Sequence, residues 1–455
     1  MTITKEITRL EKSSVKMNIT VGKDDVRSEY DELLSTYSKS IQIPGFRKGK
    51  VPQDVLIRKF GEALKGEALG KVIEKTIEQI FADETFPKES RPLPYSTPQM
   101  QDEPKLDLEN DLAFAVVYDV LPAVKVEKWE NIEIEVPDVS VEDEDLDREL
   151  QLIQDRNSIV LDKNEDETAA KNDVVTINYT ELDDSDQPIQ DGGRDDFSFT
   201  LGTGQILYKF DDELSGMKKG ETKEFSKTYP EDFEEPSLAG KTKKFKVTLT
   251  ALKVKKLPDL DDDLAQDVDD KFKTLDDLKN SIRDRLNKDI ETRLRTLKIN
   301  KILEIIMGNT PVEIPESMIR LELDSRWKNL ARRLNTDTEG LLKIVGNNQE
   351  GVQSIIGSWK PDAEKALHSR LIVETLMDDL KLEASDEEIE KELVKIADES
   401  GVDPEEVRKY YEADQMKEYL KEEIREHKVF DILLSKNQIK TGNKVKYVDL
   451  IGNNV

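Results

Sequence analysis

One stretch decides the fold of the middle of the chain: Ile206–Glu221, with the sequence ILYKFDDELSGMKKGE. It predicts a short helix from Lys209 to Gly216, followed by a turn at Lys219-Gly220. On both sides of it, apolar and polar residues alternate with the period of a strand that buries one face. The alternating apolar residues are Val175, Ile177 and Tyr179, then Phe197, Phe199 and Leu201, and finally Phe245, Val247 and Leu249. We therefore predict a domain of short strands from Asp173 to Lys255.

The same stretch belongs to an ordered set of motifs that resembles an FKBP-type peptidyl-prolyl isomerase domain over Val174–Lys253. Other pieces of the set are Val175–Tyr179, Tyr229–Phe233 and Leu238–Lys241. The resemblance implies an antiparallel sheet with an aromatic pocket for proline. It assigns the following catalytic residues to the pocket: Tyr179, Phe197, Ile206, Leu207, Phe210, Phe233 and Phe245. Without the resemblance, these residues would be interpreted simply as the core of a small sheet.

Such a pocket suits the reaction, because rotating a prolyl amide needs neither a nucleophile nor a proton transfer. Rotation loses the resonance of the C–N bond, so the uncatalysed exchange takes on the order of tens of seconds or more. An apolar pocket favours the twisted amide, whose charge is less separated than that of the planar amide. We expect a backbone N–H near Ile206 or Leu207 to hold the substrate carbonyl.

Two positions depart from the FKBP pattern. Many relatives have an aromatic residue followed by an acid before the Gly-Gly turn, where this chain has Ile189-Gln190. The glycine that usually precedes the helix aromatic is replaced by Lys209. We expect the fold to tolerate both changes, whereas isomerase activity could be weak.

A second informative stretch is Gly45-Phe46-Arg47-Lys48-Gly49-Lys50-Val51-Pro52. The chain has a formal net charge of −29, and so negative a body repels nucleic acid unless it concentrates positive charge locally. From Gly45 to Gly61, the bases Arg47, Lys48, Lys50, Arg58 and Lys59 face one acid, Asp54. The pattern predicts a loop that docks on a polyanion with Phe46 as its apolar anchor, although a bare basic turn is more often simply solvated.

The pattern Gly45-Phe46-Arg47-x-x-Lys50-x-Pro52 resembles the ribosome-docking signature of the trigger factor family of bacterial chaperones. Thr310–Pro315 and Val402–Val407 match that family in place and order, so the resemblance extends over nearly the whole chain. It implies docking at the large ribosomal subunit beside the exit tunnel, on ribosomal RNA phosphates or acidic protein side chains. The implied ribosome-binding residues are Gly45, Phe46, Arg47, Lys48, Lys50 and Pro52.

The resemblance also implies that the helical C-terminal body holds unfolded nascent polypeptides without ATP. Methionine side chains adapt to varied partners, so Met307, Met318, Ile319 and Met377 are candidate lining residues. Burial in the core is the simpler expectation for each of them. Whether the free protein forms a weak homodimer is left open.

The elements predict a multidomain α+β fold. Its parts are an N-terminal α/β ribosome-docking domain, an FKBP-like antiparallel sheet domain and an all-helical C-terminal chaperone domain. Strands are predicted at Val15–Val21 and Leu112–Val120, and the loop around Phe46 is placed between two helices, with a third helix from Glu62 to Phe81. A helix is expected from Val141 to Leu161. The predicted domains are 1–122 for ribosome binding, 123–166 as linker, 167–256 for isomerisation and 257–455 for chaperone activity.

The composition narrows the class of protein. At 455 residues the chain is expected to form two to four domains. Without cysteine it can form no disulfide, thiolate nucleophile or sulfur metal site. His368 and His427 lie far apart in sequence, so we expect no metal and no cofactor. No apolar run approaches the ~18 residues of a membrane span, so a cytoplasmic, partly ribosome-bound protein without a membrane partner is predicted.

Three functions remain open at this point. The first is a ribosome-associated, ATP-independent chaperone that also isomerises prolyl bonds. The second is a free-standing isomerase, which would not need the loop around Phe46. The third is a holdase whose FKBP-like domain is inactive, as the departures at Ile189 and Lys209 would allow.

Overall fold

An antiparallel sheet organises the N-terminal region. The computed structural model describes residues 1–44, 46, 49, 51–183, 185–204 and 206–452, with the side chains at 190 and 191 outside that description. The sheet has the order β1-β2-β4-β3. Its strands are β1 (Ile3–Arg9), β2 (Ser14–Val21), β3 (Gln99–Met100) and β4 (Leu112–Asp119). Along β2 the buried side chains alternate as predicted, because only one face meets the core.

Two helices cover this sheet, α1 (Lys23–Ser40) and α2 (Gln53–Ala82). The helix predicted from Glu62 is the continuation of α2, so the expected break between a second and a third helix is wrong. Gly61 lies inside α2 and costs the helix about 1 kcal/mol relative to alanine. Buried residues continue at helical spacing on both sides of it, from Leu56 to Leu64 and Ala68, and this packing keeps the helix intact.

The middle region forms a second antiparallel sheet of order β6-β10-β7-β8, with β9 also paired to β10. Its strands are β6 (Ile159–Asp162), β7 (Val174–Leu182), β8 (Pro188–Thr200), β9 (Thr222–Thr228) and β10 (Thr242–Lys256). The predicted short helix is present as α4 (Asp211–Leu214), shorter than expected at both ends. Its Leu214 and the preceding Phe210 pack into the core of this sheet.

Helices dominate the rest of the chain. A two-stranded ribbon joins β5 (Glu133–Asp138) and β11 (Gln438–Lys444). The helices are α3 (Asp143–Arg156), α5 (Asp262–Val268), α6 (Leu275–Asn309), α7 (Glu316–Arg333), α8 (Thr338–Ile344), α9 (Gln349–Asp379), α10 (Asp386–Ser400), α11 (Pro404–Tyr410), α12 (Asp414–Lys436) and α13 (Tyr447–Gly452).

The multidomain α+β class is confirmed, and the C-terminal region adds strand β11 to its predicted helices. The helix expected to reach Leu161 ends at Arg156 and gives way to β6. Strand pairing to Lys253–Lys256 of β10 accounts for this difference. Among the described residues, no helix is both long and apolar enough to cross a bilayer.

The chain divides into two compact units, each made of two segments. One unit comprises Met1–Val136 and Thr296–Thr441, and the other comprises Pro137–Arg295 and Gly442–Val455. The first contains the N-terminal sheet and helices α7 to α12, and the second contains the FKBP-like sheet. The predicted domain boundaries at 122, 166 and 256 stay predictions.

Candidate functional site

The loop between α1 and α2 is anchored at both ends. Ile43 and Val51 are buried in the N-terminal core. The Ser38 hydroxyl donates to the Val51 carbonyl over 3.3 Å, and the Phe46 N–H donates to the Ile43 carbonyl over 3.0 Å. Between these anchors the Phe46 residue is 39% exposed. The fold therefore presents this aromatic residue to solvent from a fixed base.

The two helices are tied together near the same loop. The Tyr37 hydroxyl of α1 donates to the Glu67 carboxylate of α2 over 2.5 Å. This hydrogen bond raises the pKa of Tyr37 and lowers the pKa of Glu67, because it stabilises the protonated phenol and the charged carboxylate. A charge-assisted hydrogen bond of this kind helps to fix the separation of the helices from which the loop emerges.

The predicted docking residues are only partly within the described structure. Gly45, Arg47, Lys48 and Lys50 lie outside the described residues. Pro52 is exposed and precedes the first residue of α2.

The first turns of α2 carry two exposed apolar residues that the sequence reasoning did not select, Ile57 and Phe60. They lie beside the exposed cations Arg58 and Lys59. The sequence feature that could have identified them is their spacing of three residues, which places both apolar side chains on one face of the helix.

The FKBP-like sheet encloses a cluster of aromatic rings. The Phe210 ring centroid lies 5.2 Å from that of Phe245 and 5.4 Å from that of Phe225. Tyr179 meets the Phe210 ring edge-on at 6.0 Å. Phe197 in turn lies edge-on to Tyr179 at 6.3 Å. Such edge-on and tilted pairs are the favoured arrangements of aromatic rings, so the cluster is a stable apolar surface.

Local backbone geometry positions Tyr179 and Phe197. The pairing of β7 with β8 shifts register between Ile177 and Tyr179, and irregularities of this kind often re-aim side chains beside active sites. Opposite the shift, Asp196 has a left-handed φ of 51°. Its N–H donates to the Asn178 side-chain oxygen over 2.8 Å, which holds this irregular stretch in place.

The predicted pocket residues fall into three groups by burial. Ile206, Phe210 and Phe245 are fully buried and form the floor, whereas Tyr179, Phe197 and Phe233 are half-buried. Leu207 is 54% exposed. Phe233 packs on Tyr229, with ring centroids 4.8 Å apart. The structure thus brings Tyr179, Phe197, Phe210 and Phe245 into one cluster, while their catalytic roles stay predictions.

Tyr208 belongs to the same cluster and was missed by the sequence reasoning. Its ring centroid lies 4.7 Å from that of Phe245 and 5.6 Å from that of Tyr179. Burial raises the pKa of both Tyr208 and Tyr179, so both phenols are neutral hydrogen-bond donors near pH 7. The sequence feature that could have identified Tyr208 is an aromatic residue two positions before Phe210. The family motif leaves that position unspecified.

The backbone conformation of Lys209 explains why a glycine is usual at this position. Its φ is 47°, in the left-handed region that costs a non-glycine residue roughly 1–2 kcal/mol. The Lys209 N–H donates to the Ile206 carbonyl, and the Lys227 ammonium donates to the Lys209 carbonyl over 2.6 Å. These bonds hold the strained turn, and Phe210 still reaches the floor of the cluster.

The helical part of the first unit contains open grooves. One has a volume of about 750 Å³ and is lined by Met307, Val312, Ile314, Ile319 and charged residues. Of the candidate lining residues, Met318, Ile319 and Met377 are buried, whereas Met307 is half-buried in this groove. Core burial is confirmed for those three, although Ile319 also lines this groove and Met377 lines the groove described next.

A second groove has a volume of about 540 Å³, and Val373 and Met377 of α9 and Tyr419 of α12 are among its lining residues. Burial, ahead of the neighbouring carboxylates, raises the pKa of Glu374 in this groove. Apolar surface in both grooves is therefore interrupted by charged side chains.

Comparisons with known proteins cover nearly the whole chain. Family models described as "Bacterial trigger factor protein (TF)" and its C-terminus match residues 1–153 and 274–435. A model described as "FKBP-type peptidyl-prolyl cis-trans isomerase" matches residues 165–250. A relative from Treponema denticola named "Trigger factor" is 43% identical over 447 residues, covering 98% of this chain and 99% of the relative.

The chain belongs to the trigger factor family. Further relatives of that name come from Treponema pallidum strain Nichols, 36% identical over 451 residues, and Borrelia turicatae, 33% identical over 452 residues. Each alignment covers 99% of both chains. The predicted family is confirmed, and this trigger factor chaperone carries an FKBP-type domain.

Proposed function

We propose that the protein is an ATP-independent chaperone that docks at the ribosomal exit tunnel, holds nascent chains and isomerises their prolyl bonds. The N-terminal loop would dock on the large subunit in the cytoplasm, the grooves of the helical region would hold unfolded segments, and the FKBP-type domain would act on proline. The domain division proposed from the sequence assigns these tasks to 1–122, 257–455 and 167–256.

The observation that carries the docking proposal is the exposed Phe46 on a loop whose ends are buried at Ile43 and Val51. An anchored base reduces the conformational entropy that the loop loses on binding. Arg47, Lys48 and Lys50 supply the charge that a strongly anionic chain needs to approach ribosomal RNA. The exposed Ile57 and Phe60 would extend the apolar part of the same surface.

Ribosome co-sedimentation tests this proposal with the triple variant Phe46→Ala, Arg47→Ala, Lys48→Ala. A matched control is Arg408→Ala, Lys409→Ala, Tyr410→Ala, which also removes one exposed aromatic residue and two cations. We expect the first variant to stay in the supernatant and the control to pellet with ribosomes. Undiminished binding of the first variant would exclude this loop as the anchor.

The isomerase proposal is supported by the neutral aromatic cluster around Phe210. It provides a dry, preorganised surface for a twisted amide and contains no group that the reaction would have to ionise. A proline-limited refolding assay should therefore show acceleration by the parent protein. Tyr179→Ala and Leu207→Ala should reduce it, whereas Ile159→Ala, which removes an exposed apolar residue on β6 of the same sheet, should not.

The left-handed Lys209 favours a second candidate, a holdase whose FKBP-type domain is inactive. Lysine places a side chain where relatives have glycine, in the turn before Phe210 at the edge of the cluster. A parent protein that suppresses aggregation but never accelerates proline-limited refolding would establish this candidate. Acceleration that depends on Tyr179 and Leu207 would remove it.

A further inference from the structure

Strand β6 forms an exposed edge of the FKBP-like sheet. All four of its residues, Ile159–Asp162, are exposed, and its three apolar residues are 60%, 45% and 49% exposed. Among the described strands, β6 pairs with β10 alone, so its other edge has no strand beside it. Proteins usually protect an open edge with charged residues or proline. The run Ile159-Val160-Leu161 contains neither.

The pairing with β10 determines which main-chain groups of β6 point to the open edge. Directly after β6, the Lys163 N–H donates to the Leu252 carbonyl over 3.0 Å. In an antiparallel pair, residues bonded to the partner alternate with residues whose N–H and C=O point away from it. Leu161 therefore has the orientation of Lys163 and bonds to β10. Val160 and Asp162 direct their N–H and C=O groups to the open edge.

The neighbouring open strand, β9, is protected by charge. Its residues include Lys223, Glu224 and Lys227. The ammonium groups of Lys223 and Lys227 donate to the main-chain carbonyl and the carboxylate of Glu213, respectively. Charged side chains along an edge discourage the addition of another strand. Of these two edges of one sheet, only that of β6 is apolar.

The part of β10 that pairs with β6 extends beyond β7. Pairing of β10 with β7 ends where Lys253 lies opposite Val174, whereas pairing with β6 continues to Lys256. β6 and the residues Val254–Lys256 therefore form a two-stranded projection from the sheet. Two strands alone are marginally stable in water. A third strand added to this projection would stabilise it.

The size and charge of the edge indicate its occupant. A second copy of the chain would pair through only four residues, and such a contact is far smaller than the roughly 1,200 Å² that a stable interface buries. Two chains with a net charge of −29 also repel each other. An extended segment of an unfolded polypeptide has unpaired main-chain groups of its own and needs only a weak, reversible contact.

We propose that β6 captures extended apolar segments of unfolded polypeptides as an added strand, an inference that rests on the proposed holding of nascent chains. The main-chain groups of Val160 and Asp162 form the hydrogen bonds, which is the mode of recognition called β-augmentation. The side chains of Val160 and Leu161 lie on opposite faces of the strand. Apolar side chains on either face of the added strand therefore meet apolar surface, and no proline is required.

Hydrogen exchange measured residue by residue with NMR on the full-length protein tests the inference. The probe is the blocked peptide Lys-Val-Thr-Val-Thr-Val-Lys, which contains no proline for the prolyl site. We expect saturating peptide to slow exchange of the Val160 and Asp162 amides at least about fivefold, because these N–H groups become hydrogen-bonded. Exchange of the Leu161 amide, which already bonds to β10, should change less.

Val160→Pro removes one outward donor without removing a bond to β10. It should weaken binding of the probe about three- to tenfold, and exchange of the Leu161 amide reports whether β6 is still paired. Ser226→Pro is the matched control on the charged edge of β9 and should leave binding unchanged. Ser226 has the same outward orientation, because the Tyr229 N–H donates to the Lys241 carbonyl and the orientation alternates along the strand.

Two further arms separate main-chain pairing from side-chain contact. Ile159→Ala keeps every main-chain group of β6 and should retain most of the binding. Two N-methylated forms of the probe, methylated on complementary sets of alternate residues, lose the N–H groups of one peptide edge or the other. Only one edge can pair with β6, so one form should bind like the parent peptide and the other should not bind. This comparison needs no change in the protein.

Unchanged exchange of the Val160 and Asp162 amides at saturating peptide would overturn the inference, and so would equal binding of the two methylated probes. A dimer in sedimentation equilibrium that Val160→Pro abolishes would assign the edge to a second copy instead. Suppression of aggregation by the parent protein is measured in parallel. If the parent suppresses aggregation while β6 stays unprotected, the proposed holding function stands and only this inference fails.

Discussion

Phe46 and Phe210 are the same side chain in opposite settings. Phe46 is 39% exposed on a loop whose two ends are buried, whereas Phe210 is fully buried in a cluster of aromatic rings. Both belong to motifs that the sequence singles out for function. The first motif therefore adds an exposed contact to a fold that does not depend on it, whereas the second contributes to the core of its own domain.

The largest effect should come from Phe210→Ala. Truncating a fully buried phenylalanine costs about 3–5 kcal/mol in the free energy of unfolding. Hydrogen exchange measured by mass spectrometry should show faster exchange in β7 and β10. Phe46→Ala should leave exchange in the N-terminal sheet unchanged to within about 0.5 kcal/mol. Equal protection of β7 and β10 in Phe210→Ala and parent would contradict the comparison.

The second-largest effect should be the salt dependence of binding, which should differ between the two regions. If Arg47, Lys48 and Lys50 each contact one phosphate, ribosome affinity should fall roughly 20- to 40-fold between about 50 and 200 mM salt. Replacing the three cations with alanine should flatten that dependence. Binding of an uncharged proline-containing peptide to the FKBP-type domain is the internal control and should change little. A ribosome affinity independent of salt would remove the electrostatic part of the docking account.

A smaller effect concerns the turn before Phe210. Lys209→Gly should stabilise the FKBP-type domain by about 1 kcal/mol, because glycine adopts the left-handed backbone without a Cβ clash. Lys209→Ala keeps that clash and should give no gain. Hydrogen exchange of β10 measures both variants. A gain of equal size in the alanine variant would show that the lysine side chain, not its backbone, is unfavourable.

The smallest effect is a pH dependence in the helical region, remote in sequence from both phenylalanines. The Lys428 ammonium and the Ser385 N–H and hydroxyl donate to the Glu388 carboxylate. The Lys428 contact is the largest cause that lowers the pKa of Glu388 from 4.5 to about 2. A lowered pKa stabilises the fold above the unfolded value, and this stabilisation is lost as pH falls through the folded value.

The difference in unfolding free energy between parent and Glu388→Gln should therefore shrink as pH falls from 4.5 towards about 2. Carboxyl NMR titration checks the midpoint directly. Lys428→Gln should move that midpoint back towards 4.5. A midpoint for Glu388 near 4.5 in the parent would refute the assigned cause.

Periodicity predicted the strands and the buried faces well. The alternation from Val15 to Val21 gives β2, and Leu112 to Val120 contains β4. It failed where tertiary contacts outweigh local preference. Gly61 does not end α2, and α9 continues through Pro361 because side chains such as Trp359 pack against the Trp327 cluster.

The candidate site was only partly predictable for a related reason. The family motif selected Phe210 and Phe245 but left Tyr208 unspecified, although Tyr208 packs on both rings. The glycine of the family motif already indicates the left-handed φ found at Lys209, whereas the contact of Arg194 with Phe197 depends on a backbone path that no local pattern encodes. The residue types of the site could be predicted from the sequence, whereas the packing of Tyr208, Phe210 and Phe245 required the structure.

Ribosome pelleting of Phe46→Ala and Phe210→Ala in parallel decides whether the exposed phenylalanine, and not the buried one, anchors the protein on the ribosome. We expect Phe46→Ala to lose most of its pelleted fraction while its hydrogen exchange stays that of the parent. We expect Phe210→Ala to pellet like the parent even though its FKBP-type domain is destabilised. Full pelleting of Phe46→Ala would contradict the claim that this exposed aromatic residue is the anchor on the ribosome.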